Sequence, residues 1–210
     1  MKRRIALGCL CGFVAFTQST TAQEPSPSST SVSPDKQWEY RCDGGLWSSI
    51  VKTDTNKMVL DLSNELEVPY CQDAQVIWTP DSKRFAFNYN PPHAPHTTYQ
   101  TVAFYQLRGD KWVALRSPVD DKSERTQLMQ LVKEQLPKSS YAHSADPHRD
   151  VLKVREWTDA DTAILYAPCY GRTSGQLDAA FLFTLKFNDA GDWNIIKTHR
   201  MSKKELEEGQ

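Results

Sequence analysis

Residues 76–87 read Val76-Ile77-Trp78-Thr79-Pro80-Asp81-Ser82-Lys83-Arg84-Phe85-Ala86-Phe87, two strand-like runs joined by a turn. Proline at the second position of Thr79-Pro80-Asp81-Ser82 favours a tight hairpin there. Strand-like runs at residues 101–105 and 111–113 complete a unit of four strands. Residues 154–194 repeat this order of strands and turns. Because a repeat determines architecture, we expect two consecutive units of antiparallel strands.

The stretch 78–87 resembles the signature of the WD40-like propeller repeat found in periplasmic TolB-type proteins. The second unit keeps only Trp157-Thr158 and the apolar strand that follows, so it is a degenerate copy. The resemblance implies a propeller-like scaffold, but a complete propeller needs at least four blades. This chain supplies two units and an N-terminal hairpin at residues 47–52 and 58–62. We therefore expect a mainly β fold, a propeller-like fragment of consecutive antiparallel sheets. The alternative is an α+β fold with a single antiparallel sheet.

One amphipathic helix is predicted between the two units. Asp121 and Glu124 form a capping-box pattern, and Pro137 ends the run. Apolar residues recur between them at helical spacing: Leu128, Leu131, Val132 and Leu136. This stripe predicts a helix packed on the sheets. A second, shorter helix is predicted at residues 202–208.

The N-terminus predicts export. Met1-Lys2-Arg3-Arg4 precedes an uncharged apolar run and the small residues Thr20-Thr21-Ala22, which is the layout of a signal peptide over residues 1–22. The apolar run is too short to span a bilayer, so we expect no membrane span. Residues 23–36 are rich in serine and proline and predict a linker, followed by one β-rich domain at 37–210. The expected location is periplasmic or extracellular.

Charge and cysteine content agree with this location. The formal net charge is −1 and becomes more negative without the basic signal peptide, so no nucleic-acid partner is predicted. Cys42, Cys71 and Cys169 remain after cleavage, and a disulfide is expected in an oxidising compartment. We favour Cys42–Cys71 because both residues end strand-like segments in the N-terminal part. A bridge from Cys169 to either of them is the alternative.

The tryptophans divide into two groups. Four of them stand at equivalent places in the two units and are expected in the core: Trp78, Trp112, Trp157 and Trp193. Trp38 and Trp47 lie outside the units and are candidates for surface contact.

Long connections mark one end of the predicted strands. The turns within each unit are short, whereas residues 89–99, 117–150 and 167–178 form long connections at the opposite end, here called the long-loop end. Long irregular loops on a rigid scaffold often carry binding sites. The predicted binding residues are His93, His96, Tyr170 and Arg172.

The first functional hypothesis is a non-catalytic binding or interaction module whose partner is a protein, a peptide or an envelope component. The chain contains no G-x-S-x-G, H-E-x-x-H or dinucleotide-binding motif, so we predict no catalytic residue and no cofactor. The alternative is a metal-dependent hydrolase in which His93 and His96 bind the ion together with His148 or Asp146. A third hypothesis is a structural subunit of a larger envelope assembly.

Overall fold

A computed structural model describes residues 32–43, 47–67, 71–92, 100–118, 151–170 and 177–208. These residues form eleven strands and two short helices. The strands are β1 (Trp38–Asp43), β2 (Trp47–Lys52), β3 (Lys57–Asp61), β4 (Gln75–Trp78), β5 (Arg84–Tyr89), β6 (Thr101–Arg108), β7 (Lys111–Leu115), β8 (Lys153–Trp157), β9 (Thr162–Tyr170), β10 (Leu177–Phe187) and β11 (Trp193–Arg200). The helices are α1 (Leu62–Leu66) and α2 (Lys203–Glu208).

The strands form three separate antiparallel sheets. The N-terminal sheet has the order β1-β2-β3, the middle sheet β4-β5-β6-β7, and the C-terminal sheet β11-β10-β9-β8. Each strand therefore pairs with its neighbour in sequence, as the repeat predicts. The mainly β fold of consecutive antiparallel sheets is confirmed, and its grouping is compatible with a propeller-like arrangement. The single-sheet alternative is wrong, because no hydrogen-bonded pairing of strands joins one sheet to the next in the described residues.

The middle sheet packs between the other two. Strand β5 is buried from Arg84 to Asn88. Because successive side chains of a strand point to opposite faces, this continuous burial means that both faces of β5 are covered. Phe85 and Phe87 belong to the core shared with the N-terminal sheet, while Ala86 belongs to the core shared with the C-terminal sheet. Burial on both faces explains why apolar and polar residues do not alternate along this strand.

The predicted turns form as expected. Ser82 N donates to the carbonyl of Thr79 at 2.9 Å, which closes the hairpin between β4 and β5. Gly109, with a φ of 65°, stands in the two-residue turn between β6 and β7. A left-handed φ of this kind suits glycine because it has no Cβ. Local turn chemistry therefore fixes the β4–β5 and β6–β7 reversals of the middle sheet.

Buried polar side chains connect the middle and C-terminal sheets. Asn88, which is 1% exposed, donates from Nδ2 to the carbonyl of Val154 at 2.8 Å. Its Oδ1 accepts from Val154 N at 2.9 Å. Trp157 Nε1 donates to the carbonyl of Ile77 at 3.0 Å. These bonds satisfy backbone groups of the edge strands β4 and β8 that pairing within each sheet leaves unused.

An arginine joins the same two sheets at the short-turn end. Arg84 is 8% exposed, and its guanidinium donates to the carbonyls of Ala160 at 2.8 Å and Asn188 at 3.0 Å. Its Nε also donates to Gln106 Oε1 at 3.2 Å. One side chain of the middle sheet therefore binds the β8–β9 turn and the β10–β11 turn of the C-terminal sheet. These hydrogen bonds join the two sheets at the end opposite to the long-loop end.

The structure corrects several expectations about the N-terminal part. The predicted hairpin gains a third strand, β1, and the short helix α1 follows it, begun by the Asp61 side chain, which accepts from Asn64 N. Trp38 is 5% exposed, so its predicted surface role is wrong: β1 places it against Trp112, with ring centroids 5.5 Å apart. Trp47 is 63% exposed, as predicted.

Other expectations have mixed outcomes. The four tryptophans of the repeat units are buried as predicted. Residues 32–36, assigned above to the linker, are among those described, and Ser33 within them is buried. Helix α2 confirms the predicted C-terminal helix, whereas the helix predicted after Asp121 lies outside the described residues. In the part that the structure describes, no helix has the length and apolar character needed to cross a membrane.

Candidate functional site

The structure locates one of the four predicted binding residues. Tyr170 is the last residue of β9, at the long-loop end, and it is partly buried. His93, His96 and Arg172 lie outside the described residues, as does the proposed metal ligand His148. Both the loop-centred binding site and the metal-dependent hydrolase therefore stay predictions. Among the described residues, no group of three or more histidine, cysteine, aspartate or glutamate side chains is arranged to hold a metal ion.

The predicted disulfide is confirmed. Cys42 and Cys71 are bonded, with their Cα atoms 5.5 Å apart, and the alternative pairings with Cys169 are wrong. Cys169 is in no disulfide bond and is buried on the face of β9 that meets the middle sheet. The bridge ties the end of β1 to the segment before β4.

The outer face of the C-terminal sheet carries Tyr170 and its neighbours. Leu165 and Phe181 point into the core shared with the middle sheet. Because side chains alternate along a strand, Tyr166 and Tyr170 lie together on the opposite face. Tyr166 packs there with Ala180 in a separate apolar cluster. The outer face is therefore distinct from the core between the sheets.

Two cations lie against Tyr166. Lys153 is its partner across the β8–β9 pairing, and the Lys153 Nζ lies 5.8 Å from the centroid of the tyrosine ring. Arg155 lies closer, with its Cζ 4.0 Å from the same centroid. The β8–β9 register shifts between Val154 and Glu156, so Arg155 is the extra residue of a bulge. Bulges re-aim side chains, and this one brings the guanidinium over the ring.

We refer to Lys153, Arg155, Tyr166 and Tyr170 as the tyrosine patch. It lies toward the long-loop end, because β8 begins at Lys153 and β9 ends at Tyr170. Sequence reasoning found only Tyr170. The alternation Lys153-Val154-Arg155 was a usable signal for two cations on one face of a strand. The tyrosine that they contact depends on strand register and could not be read from the chain.

The pKa values of the patch follow from burial and from charge. Burial lowers the pKa of Lys153, and the nearby Arg155 cation lowers it further. Burial raises the pKa of Tyr166, with a smaller contribution from Tyr170, while Arg155 opposes the increase. The pKa of Tyr170 is raised by burial. Both phenols therefore stay protonated at neutral pH, which suits hydrogen bonding rather than proton abstraction.

Neither cation of the patch forms an ion pair within the described part of the chain. None of the ion pairs between described residues includes Lys153 or Arg155. Arg155 instead contacts the Tyr166 ring through its guanidinium. Two like charges close together repel one another, so this arrangement favours an anion beside them.

Helix α2 borders the patch. Leu206 of the helix packs on the apolar cluster that contains Tyr166. The helix is anchored by Glu205, whose carboxylate accepts from Ser202 N at 2.6 Å and lies 2.9 Å from His199 Nε2. Ser202 and Glu205 form a capping box, since Ser202 Oγ also accepts from Glu205 N at 3.3 Å. These bonds lower the pKa of Glu205 to about 2, so its carboxylate stays ionised and anchors α2 at neutral pH.

Comparison of the chain with models of known protein families, with curated proteins and with solved structures finds no match. What the protein does must therefore be inferred from its own geometry. Within the described residues, the tyrosine patch places two cations that form no ion pair beside two tyrosines, on a sheet that is hydrogen-bonded to its neighbour.

Proposed function

We propose that the protein is an exported, non-catalytic binding module that captures its partner on the outer face of the C-terminal sheet, at the long-loop end. The observation that carries this proposal is the pair of cations, Lys153 and Arg155, held beside Tyr166 without an ion pair to any described carboxylate. Burial and the nearby Arg155 cation both disfavour the charged form of Lys153, so folding holds this charge at a cost. An anionic group on a partner would offset that cost.

The scaffold supports a binding role. The sheet that carries the patch is connected to the middle sheet by Asn88, Arg84 and Trp157, so its strands keep a fixed register. A rigid surface loses little conformational freedom when a partner binds, which favours affinity. The patch is therefore preorganised for contact.

The repeat gives the wider setting. The resemblance to the WD40-like repeat of TolB-type proteins, together with three consecutive antiparallel sheets, supports a propeller-like fragment as the scaffold. His93, His96 and Arg172 lie outside the described residues and stay predicted binding residues. The signal-peptide pattern and the Cys42–Cys71 disulfide support export.

A capture experiment with matched double variants tests the proposal. Immobilised mature protein is incubated with an envelope extract of the source organism, and retained proteins are quantified for wild type, for K153A/R155A and for K57A/K111A. Lys57 and Lys111 are exposed cations on the other two sheets, so the control removes the same charge elsewhere. We expect K153A/R155A to retain at least tenfold less of a saturable partner, and the control to match wild type.

Stability must be compared in the same set. Because each lost cation–π contact is worth about 0.5–1 kcal/mol and repulsion is relieved, K153A/R155A should unfold within about 1 kcal/mol of wild type. Equal capture by both double variants would contradict the proposal. So would a large loss of stability that explains the lost capture.

A further inference from the structure

We infer that the tyrosine patch recognises an acidic segment of a protein partner, whose carboxylates bind Arg155 and Lys153. This inference rests on the proposed function and adds the chemistry of the group that is bound. Three features of the patch support it: the geometry of the guanidinium, the small number of cations, and the residues around them.

The guanidinium of Arg155 is placed for carboxylate binding. Its Cζ lies 4.0 Å from the centroid of the Tyr166 ring, a distance at which the planar group contacts the ring through its face. Arginine has five N–H donors, and a carboxylate can accept two of them in parallel bonds. Lys153 supplies a second positive charge near the same ring.

The number of cations argues against a membrane surface as the partner. Peripheral proteins that are recruited by anionic lipids generally present a cluster of about four to eight lysines and arginines. The patch presents two, Lys153 and Arg155, and the whole chain has a formal net charge of −1. Long-range attraction to a polyanionic surface is therefore weak, whereas short-range pairing with one or two carboxylates is not affected by net charge.

The neighbours of the cations have the composition of a protein-binding surface. Tyr170 lies on the same face and is only partly buried, as is Leu182, which pairs with Tyr166 across the sheet. Leu206 of α2 adds a further partly buried apolar side chain. Tyrosine and arginine are enriched among the residues that dominate protein–protein binding energy, and apolar side chains around them exclude water. An acidic segment with interspersed apolar residues complements this mixture.

A titration with defined probes tests this inference. The first probe is a twelve-residue peptide composed of glutamate, leucine and serine, in which serine separates the other two. The second is the same peptide with glutamine in place of every glutamate. The third is a preparation of vesicles that contain phosphatidylglycerol. Amide spectra of the isotope-labelled protein report binding residue by residue. We expect the glutamate peptide to shift the signals of Lys153, Arg155 and Tyr170, and the glutamine peptide and the vesicles to leave them unchanged.

Two variants complete the design. Arg155→Ala should weaken peptide binding at least tenfold, and Arg155→Lys should give an intermediate loss because the charge stays but the two-pronged geometry is lost. Unchanged signals in the other two sheets show that each variant is folded. Equal binding of both peptides, binding by vesicles alone, or undiminished binding to Arg155→Ala would overturn the inference. If peptide binding fails while K153A/R155A still loses its natural partner in the capture experiment, the proposed function stands and only the acidic segment is wrong.

Discussion

Replacing both Cys42 and Cys71 by alanine is expected to lower the free energy of unfolding by about 3–4 kcal/mol. The bridge joins residues 29 positions apart, and it restricts the unfolded chain by closing a loop of that size. Cys71 is buried, so its sulfur also contributes packing that alanine loses. Chemical denaturation under oxidising conditions measures the difference between C42A/C71A and wild type.

Reduction provides the control for this prediction. A thiol reductant should destabilise wild-type protein by a similar amount and leave C42A/C71A unchanged, because Cys169 is not part of a bridge. A difference below about 1 kcal/mol between the two proteins under oxidising conditions would show that the loop-closure argument does not hold for this fold.

Asn88→Ala is expected to cost about 2–4 kcal/mol, because it removes both hydrogen bonds between Asn88 and the backbone of Val154. Asn88 and Val154 are each 1% exposed, so water does not replace these bonds. The N–H and the carbonyl of Val154 would both be left buried without a partner. Denaturant melts of the variant and of wild type give the difference.

Two further variants separate hydrogen bonding from packing at this position. Asn88→Leu keeps most of the side-chain volume and should be destabilised as well, since the backbone groups of Val154 still lack partners. Asn194→Ala alters an exposed asparagine on β11 and should change stability by less than about 0.5 kcal/mol. If Asn88→Leu were as stable as wild type, the bonds to Val154 would not be what joins the two sheets.

The two four-stranded units could be predicted from the sequence because their turns carry local signals. Pro80 and Gly109 mark reversals that the chain adopts without help from distant residues. Strand β1 was anticipated only as a strand-like segment that ends at Cys42, and its pairing with the hairpin was not predicted, although Trp38, Tyr40 and Cys42 alternate with polar residues in a pattern typical of a strand. Helix α1 has only five residues, too few for a helical period to show.

The contacts between the sheets could not be predicted in this way. Asn88 and Arg84 are polar residues within a strand, and nothing near them in the sequence indicates that their partners lie at Val154 and Ala160. The same holds for the tyrosine patch, where a register shift in β8 places Arg155 over Tyr166. Such features depend on how separate sheets and strands align, which local patterns do not specify.

Site-specific photo-crosslinking tests most directly the claim that the partner binds at the tyrosine patch. A photoreactive residue is placed at Tyr170 of the protein produced in its source organism, or at Val113, which is exposed on the middle sheet. We predict one crosslinked species of defined mass from position 170, none from position 113, and loss of the species when K153A/R155A is combined with the probe at 170. Crosslinking from position 113 as strong as from 170, or a species that persists in K153A/R155A, would contradict the account.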